Sequence, residues 1–359
     1  MYCFLPKRVM RMNWRVSLLC VSLVTVSLLG IATPLAVGNQ APAYPPNAPP
    51  GSTSEPLPDD DYRVSALQAD PQGNLWVGSW RGLAQIDAKT GQLRSQLKLS
   101  SPTVGALALD RRGSIWVGTY DGLSRINPKT SQVTAQNFLL PSNRVLALQV
   151  DRRGYLWVGN DSGLALINTQ NGAVKATFKN LPGVSANALT LDFQGNLWVG
   201  TLEGLVQIDT ASALPLQQVT NVPGGIVQAI ALSPTHSSWL GIPKPTLWVG
   251  TPTGLYEMDP DTGQVLQTPP AMQGRSITTL RFDKAGSLWI GTVEGLLRLN
   301  PFTGEVIGEV AANLPSRRIY SIAPDAGGKL WVGTSEGLAW VSQTTFRTGV
   351  VRTFSRDRK

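Results

Sequence analysis

Cysteine is almost missing from this sequence. Its two copies, Cys3 and Cys20, both precede residue 39, so the rest of the chain can form no disulfide and offers no thiolate to a metal. Histidine is scarcer still, with His236 the single copy. A lone histidine without cysteine or carboxylate partners nearby makes a poor metal site, so neither a metal nor another cofactor is expected. Clustered positive charge is lacking too, although the formal net charge is +8. Lys7, Arg8, Arg11 and Arg15 stand before the first apolar run, and residues 347–359 carry five bases against one acid. The long stretch between is close to neutral. Nucleic-acid binding needs basic residues gathered against phosphates, so that class of partner is excluded.

Residues 16–37 contain no charge at all and follow a positive start. A basic flank, an apolar run and small residues after it describe a secretory signal. Ala36-Val37-Gly38 offers the small residues a signal peptidase reads. The alternative is an uncleaved anchor, because 22 uncharged residues nearly span a bilayer. The positive flank would then stay inside. Both readings of residues 1–38 place the remainder of the chain outside the cytoplasm, in the periplasm or secreted. Residues 39–61 hold seven prolines among Gly, Ser and Asn, and read as an extended linker that cannot bury enough apolar surface to fold.

What the sequence has in abundance is one repeated block, Asp-x-x-Gly-x-Leu-Trp-Val-Gly-Thr-x-x-Gly-Leu in its cleanest form. Its tryptophans are Trp76, Trp116, Trp157, Trp198, Trp248, Trp289 and Trp331, spaced 40, 41, 41, 50, 41 and 42 residues apart. A fixed period of this size means one supersecondary unit stacked many times. In the first copy, apolar runs at 64–70, 75–79, 82–87 and 92–99 alternate with turn residues, which predicts a four-stranded meander. Seven such units predict an all-β chain, a seven-bladed β-propeller over residues 62–355, with a basic tail at 356–359.

The turn residues carry a mechanism. An aspartate side chain bonds backbone amides two or more residues on, and glycine takes the positive φ that closes the turn. Asp70/Gly73, Asp110/Gly113, Asp151/Gly154, Asp192/Gly195, Asp283/Gly286 and Asp325/Gly328 repeat that pair. A device present once per blade is structural, and the same reasoning makes the seven tryptophans packing residues. Blade five departs: it lacks the Asp-x-x-Gly turn and carries nine extra residues within 232–247, including His236 and Trp239. This insertion reads as a tolerated surface loop. Residues 345–354 can serve as the seventh blade's own fourth strand. Closure of the ring would then rest on side-chain packing between blades one and seven.

The blocks Gly73-Asn-Leu-Trp-Val-Gly-Ser, Gly195-Asn-Leu-Trp-Val-Gly-Thr and Leu140-Pro-Ser-Asn-Arg-Val-Leu-Ala-Leu148 resemble the two-component regulator propeller repeat, over residues 62–342. The resemblance implies a propeller of the kind that forms the extracytoplasmic sensing part of hybrid histidine kinases, where carbohydrate sensing is one known role. After residue 342 there is no kinase, receiver, cyclase or DNA-binding region, so only the propeller and a recognition role are implied. The Leu-Trp-Val-Gly and Asp-Pro-x-Thr-Gly elements also resemble streptogramin lyase propellers, which use histidine and a divalent metal. One histidine inside an insertion does not supply that site.

In an alternating meander the tips between strands two and three share a face with the links between blades. The repeat leaves those positions free to vary, and a repeat protein usually carries its binding surface there. The candidate ligand-binding residues are Trp80, Arg81, Tyr120, Asp121, Arg144, Asp161, Glu203, Glu294, Arg317 and Glu336. Trp80 and Tyr120 lie on adjacent blades beside Arg81 and Asp121, a combination suited to a glycan or an extended peptide. The expected function is recognition or sensing by a monomer without catalysis. Its partners would be a glycan or peptide ligand, or a membrane signalling protein, with membrane attachment only through an uncleaved N-terminal anchor. The alternatives are a lyase- or hydrolase-like propeller enzyme, for which Glu203, Glu294 and Glu336 would be the carboxylates, and a sensory subunit serving a separate kinase.

Overall fold

A computed structural model describes residues 61–136, 138–234, 244–310 and 313–356. Residues 1–60, where a signal or anchor and a proline-rich linker are expected, lie outside the described residues, as do His236 and Trp239. The described chain folds into seven four-stranded antiparallel sheets, and each sheet takes its strands in simple sequence order. Blade one is typical, with strands Val64–Ala69, Asn74–Ser79, Gly82–Asp87 and Leu93–Leu97. The first strands of successive blades lie side by side and line a central channel, with the seventh blade's Ile319–Ala326 returning to Val64–Ala69. The fourth strands form the outer rim, and their residues alternate between exposed and half-buried. Among the described residues no helix is long and apolar enough to cross a membrane.

The repeated block explains itself in packing terms. All seven repeat tryptophans are fully buried. Each belongs to the apolar layer shared with the following blade: Trp76 packs with Val104, Ile115 and Val117, and Trp116 with Val145, Leu156 and Val158. Burying a ring of this size contributes on the order of 5 kcal/mol by area, an upper figure. The glycine two residues on is required by close approach. A Cβ on Gly78 would stand 2.5 Å from Val104 Cγ1, and one on Gly118 2.3 Å from Val145 Cγ1. A residue at or just before the start of each inner strand therefore rests on bare backbone of the blade before it. The hydroxyl that follows closes the tip: Thr119 Oγ1 donates to the Gly122 carbonyl at 3.1 Å and accepts from the Asp121 amide at 3.2 Å. Ser79, Thr201, Thr292 and Thr334 repeat this pattern in their own blades.

The turn aspartates do more than hold turns. Asp110 Oδ1 accepts from the amides of Arg112 and Ser114, both at 2.9 Å, while Oδ2 accepts from the buried Trp116 indole at 2.9 Å. Asp70, Asp151 and Asp283 make the same indole bond to Trp76, Trp157 and Trp289. The fixed six-residue separation of Asp and Trp was the sequence signal for it. Blade four differs, because Asp192 Oδ2 is taken by Gln207 at 2.7 Å and the Trp198 indole has no acceptor among the described residues. Blade five, lacking the aspartate, uses Ser233, whose Oγ accepts from the Thr246 amide at 2.8 Å.

Blade seven corrects one expectation. Asp325 does not close an Asp-x-x-Gly turn. It lies within the strand Ile319–Ala326 at positive φ (57°), and the hairpin closes through Gly327-Gly328, with Ala326 opposite Lys329. Gly327, where the other Asp-x-x-Gly turns carry Gln, Arg or Ala, shifts the turn by one residue. Asp325 Oδ2 instead accepts from the Lys284 amide of blade six at 2.8 Å. The Trp331 indole, left without an aspartate, donates to the Ala88 and Ala326 carbonyls at 3.2 Å each.

That substitution serves ring closure. Among the described residues the sheet of blade seven consists of its own four strands, ending with Thr348–Val351, and no strand from before Val64 joins it. Blades one and seven meet through a cluster including Val64, Val77, Ile86, Ala88, Trp331 and Leu338. Ser321 Oγ donates to the Val64 carbonyl at 3.1 Å, and Lys329 Nζ to the Lys89 carbonyl at 2.6 Å. Packing plus a few cross-blade hydrogen bonds hold the ring shut.

Candidate functional site

Antiparallel topology sends all tips and all inter-blade links to one face. Backbone bonds join them there: the Trp80 amide donates to the Arg63 carbonyl, Tyr120 to Thr103 and Ser335 to Arg318, at 3.0–3.1 Å. Arg81, Asp121, Arg144, Asp161, Glu203, Glu294, Arg317 and Glu336 are exposed on this face, while Trp80 and Tyr120 are half-buried.

Trp80 and Tyr120 touch edge to face, with ring centroids 5.8 Å apart and planes at 70°. A cation caps each ring. The Arg63 guanidinium lies 3.3 Å above the Trp80 centroid, and that of Arg144 lies 4.6 Å from the Tyr120 centroid. The result is a four-member stack, Arg63–Trp80–Tyr120–Arg144, running from blade one to the link into blade three. Arg81 stands 5.0 Å from the Tyr62 ring beside it. Cation–π contacts at such partly exposed places contribute about 0.5–1 kcal/mol each.

Arg63 is held in place by Asp61. Its backbone amide donates to Asp61 Oδ1 at 3.1 Å, its Nε donates to both carboxylate oxygens at 3.0 Å, and its Nη2 bonds Oδ2. Burial opposes ionisation of Asp61, but the Arg63 hydrogen bonds and charge outweigh it and hold the carboxyl below its ordinary range. The Asp61 hydrogen bond raises the Arg63 guanidinium in turn.

Sequence reasoning missed Arg63, Tyr62 and Asp61. Arg63 occupies the link position just before an inner strand, the same position as Arg144 and Arg318. Alignment of the repeats in phase would have exposed it. The structure brings Trp80, Tyr120 and Arg144 together. It shows no side-chain contact joining Asp161, Glu203, Glu294, Arg317 or Glu336 to that stack. Among the described residues no group of three His, Cys, Asp or Glu side chains is arranged to hold a metal.

Sheet order, inner-strand ring and tip geometry define a closed seven-bladed propeller. The family described as Two component regulator propeller matches residues 56–81, 98–121, 139–162 and 313–336. Each match runs from a link through the inner strand, first turn and second strand to a tip. Four of the seven repeats thus match the two-component regulator propeller repeat. Curated proteins return no match to the sequence.

Solved structures do match. The extracellular domain of the hybrid two component system BT3049 from B. thetaiotaomicron aligns at 21% identity and TM-score 0.62, covering 77% of this chain and 39% of that one. That of BT4673 from the same organism aligns at 18% identity and TM-score 0.58, covering 82% and 48%. A catalytically inactive virginiamycin B lyase from Staphylococcus aureus, solved with quinupristin, aligns at 14% identity and TM-score 0.64, covering 78% and 94%. The chain spans less than half the length of either extracellular domain. At these identities the likeness concerns the fold.

Proposed function

We propose that this propeller is a recognition module that works outside the cytoplasm and binds an extended glycan or envelope polymer across its tip face. The observation that carries the reading is the Arg63–Trp80–Tyr120–Arg144 stack. It combines flat apolar surface with guanidinium edges that donate hydrogen bonds, and both belong to positions the repeat leaves free to vary. Ring faces pack on apolar sugar faces, and guanidinium groups bond hydroxyl and carboxylate oxygens. The repeat family and the two extracellular neighbours support the sensory and extracytoplasmic part of the reading. The same comparisons favour one companion role, that the bound state is passed to a separate signalling protein in the membrane.

The test is a glycan array with the full chain, followed by titration of the best hit. Trp80→Ala with Tyr120→Ala should weaken binding at least ten-fold while leaving the fold intact, because both side chains lie outside the buried clusters. Unchanged affinity in the double variant would remove the tip face from consideration. Co-purification of a membrane protein with the chain, lost in the same variant, tests the companion role.

A further inference from the structure

The opposite face, where the first and third turns lie, holds a second candidate site. Between blades one and two runs a groove of ≈ 650 Å³ lined by Gln72, Gln85, Arg94, Arg112, Arg125 and Lys129, among others. Its size falls in the range of ordinary ligand pockets. What singles it out is a comparison between blades, because the repeat supplies internal controls.

Arg112 belongs to the turn Asp110-Arg111-Arg112-Gly113. Blade three repeats it as Asp151-Arg152-Arg153-Gly154. There the second arginine is used: Arg153 pairs with Asp151 at 2.8 Å and donates to the Ala211 carbonyl at 3.3 Å. The Arg112 side chain, exposed at the groove, has no such partner among the described residues. Arg125 faces Trp116 in register, as Arg298 faces Trp289. Arg298 directs Nη2 to Asp283 and Ser287. Arg125 is positioned by Thr134 and the Thr169 carbonyl through Nε and Nη1, both at 3.0 Å, and its Nη2 makes no hydrogen bond among the described residues. Gln85 faces Trp76 as Gln207 faces Trp198. Gln207 gives its amide to Asp192 at 2.7 Å. Gln85 accepts from Ser95 at 3.3 Å, and its Nε2 has no acceptor among the described residues, although the residue is only 8% exposed.

Three positions that other blades satisfy internally are thus left with open donors, and all three line one groove. Beneath them Asn74, 7% exposed, donates to Asp70 and leaves Oδ1 without a partner. The carboxylate in the lining, Asp70, is saturated by the Gln72 and Asn74 amides and the Trp76 indole. Arg94 is already paired with Asp87. Lys129 is exposed at the same groove. No aromatic ring lines it, which disfavours a nucleobase or an aromatic ligand.

We infer that this groove binds an acidic sugar, a carboxylate-bearing uronate unit of a polysaccharide, with Arg112, Arg125 and Lys129 taking the carboxylate and the amides of Gln85, Gln72 and Gln170 taking hydroxyls. Forked guanidinium donors match a carboxylate, and side-chain amides match the mixed donor and acceptor character of sugar hydroxyls. The site is separate from the tip face.

The experiment is calorimetric titration of the full chain with tetragalacturonate and with a neutral tetrasaccharide, maltotetraose. The expected result is saturable uronate binding that weakens with added salt, with maltotetraose binding at least ten-fold more weakly. Arg112→Gln with Lys129→Gln should lower uronate affinity at least ten-fold, and the thermal midpoint should hold, since both side chains are exposed. Trp80→Ala with Tyr120→Ala should leave this binding unchanged, which separates the groove from the tip-face reading. Absence of uronate binding, equal affinity for maltotetraose, an unaffected Arg112/Lys129 variant, or loss in the tip variant would each overturn the assignment.

Discussion

Gly333→Ala tests whether bare backbone at the blade junction closes the ring. A Cβ at this position would stand 2.2 Å from Ser321 Oγ, 2.4 Å from the Val64 carbonyl oxygen and 2.7 Å from Val64 Cγ1. The serine hydroxyl can rotate away. The carbonyl oxygen cannot, because it is main chain and already accepts from Ser321 at 3.1 Å. Tolerable carbon–oxygen contacts begin near ~3.3 Å, so the inner strand of blade one would have to retreat by most of an ångström. Overpacking of this kind costs about 1–3 kcal/mol, and losing the Ser321–Val64 hydrogen bond adds about 1 kcal/mol. The expected destabilisation is about 3 kcal/mol. At about 2.1 cal/mol/K per residue, a propeller of roughly 300 residues has an unfolding entropy near ~0.6 kcal/mol/K, so the midpoint should fall by about 5 °C. Gly118→Ala is the control. Its Cβ would meet Val145 Cγ1 at 2.3 Å, but blades two and three are joined by the chain itself. Both variants should lose stability in thermal and urea unfolding monitored by circular dichroism. Gly333→Ala should in addition gain protease cleavage in blades one and seven at temperatures below its midpoint. An unfolding midpoint within about 1 °C of the parent would refute the closure argument.

Asp110→Ala should cost about 2 kcal/mol in urea unfolding, because it strips the acceptor from the buried Trp116 indole and two turn amides at once. Asp325→Gly should cost less than about 1 kcal/mol, since it removes one exposed bond to Lys284 and relieves a positive φ. Equal losses at the two positions would contradict the structure of the blade-seven turn. A pH effect arises from Asp61, whose folded pKa is depressed. The sign is that of a carboxylate stabilised in its charged form: its contribution is complete above an unfolded pKa of about 3.9 and is lost as pH falls through the lower folded value. Acidification below about pH 4 should release Arg63 from Trp80 before the blades unfold, read as a fluorescence change that is absent in Trp80→Phe. A change with its midpoint above pH 5 would sink this account.

Sequence reasoning reached the architecture because the repeat announces it. Seven tryptophans in phase, with glycine and aspartate at fixed offsets, are enough to place each strand, and the strands of blade one agree to within two residues. It failed where a glycine at 327, a position held by Gln, Arg or Ala in the other Asp-x-x-Gly turns, moved a turn. Gly327 and Gly328 permit a two-residue closure that makes the Asp325 pairing redundant, and nothing in the spacing of Asp and Gly distinguishes that outcome. Trp80, Tyr120 and Arg144 were legible as candidates because they vary at positions the scaffold leaves open. Their contact was not, since it depends on side chains of two blades converging across a link.

The same contrast explains why the turn-face groove escaped notice. Arg112, Arg125 and Gln85 occupy repeat positions, and a residue at a repeat position reads as structural. The inference is sound for the tryptophans, which every blade buries alike. It fails for their register partners, which are Gln85, Arg125, Leu166, Gln207, Glu257, Arg298 and Trp340 across the seven blades. That position is fixed in space and variable in chemistry, so its role is decided blade by blade by what its neighbours offer. Where the turn aspartate accepts from it, as with Gln207 and Arg298, the side chain braces the blade. In blades one and two the aspartate accepts from the indole, and no such bond reaches Gln85 or Arg125 Nη2 as it does Arg298 in blade six, where Asp283 takes both. Where the backbone is fixed and the aspartate satisfies the tryptophan without its register partner, as in blades one and two, the donors of that partner can be turned to a ligand, as the proposed groove requires.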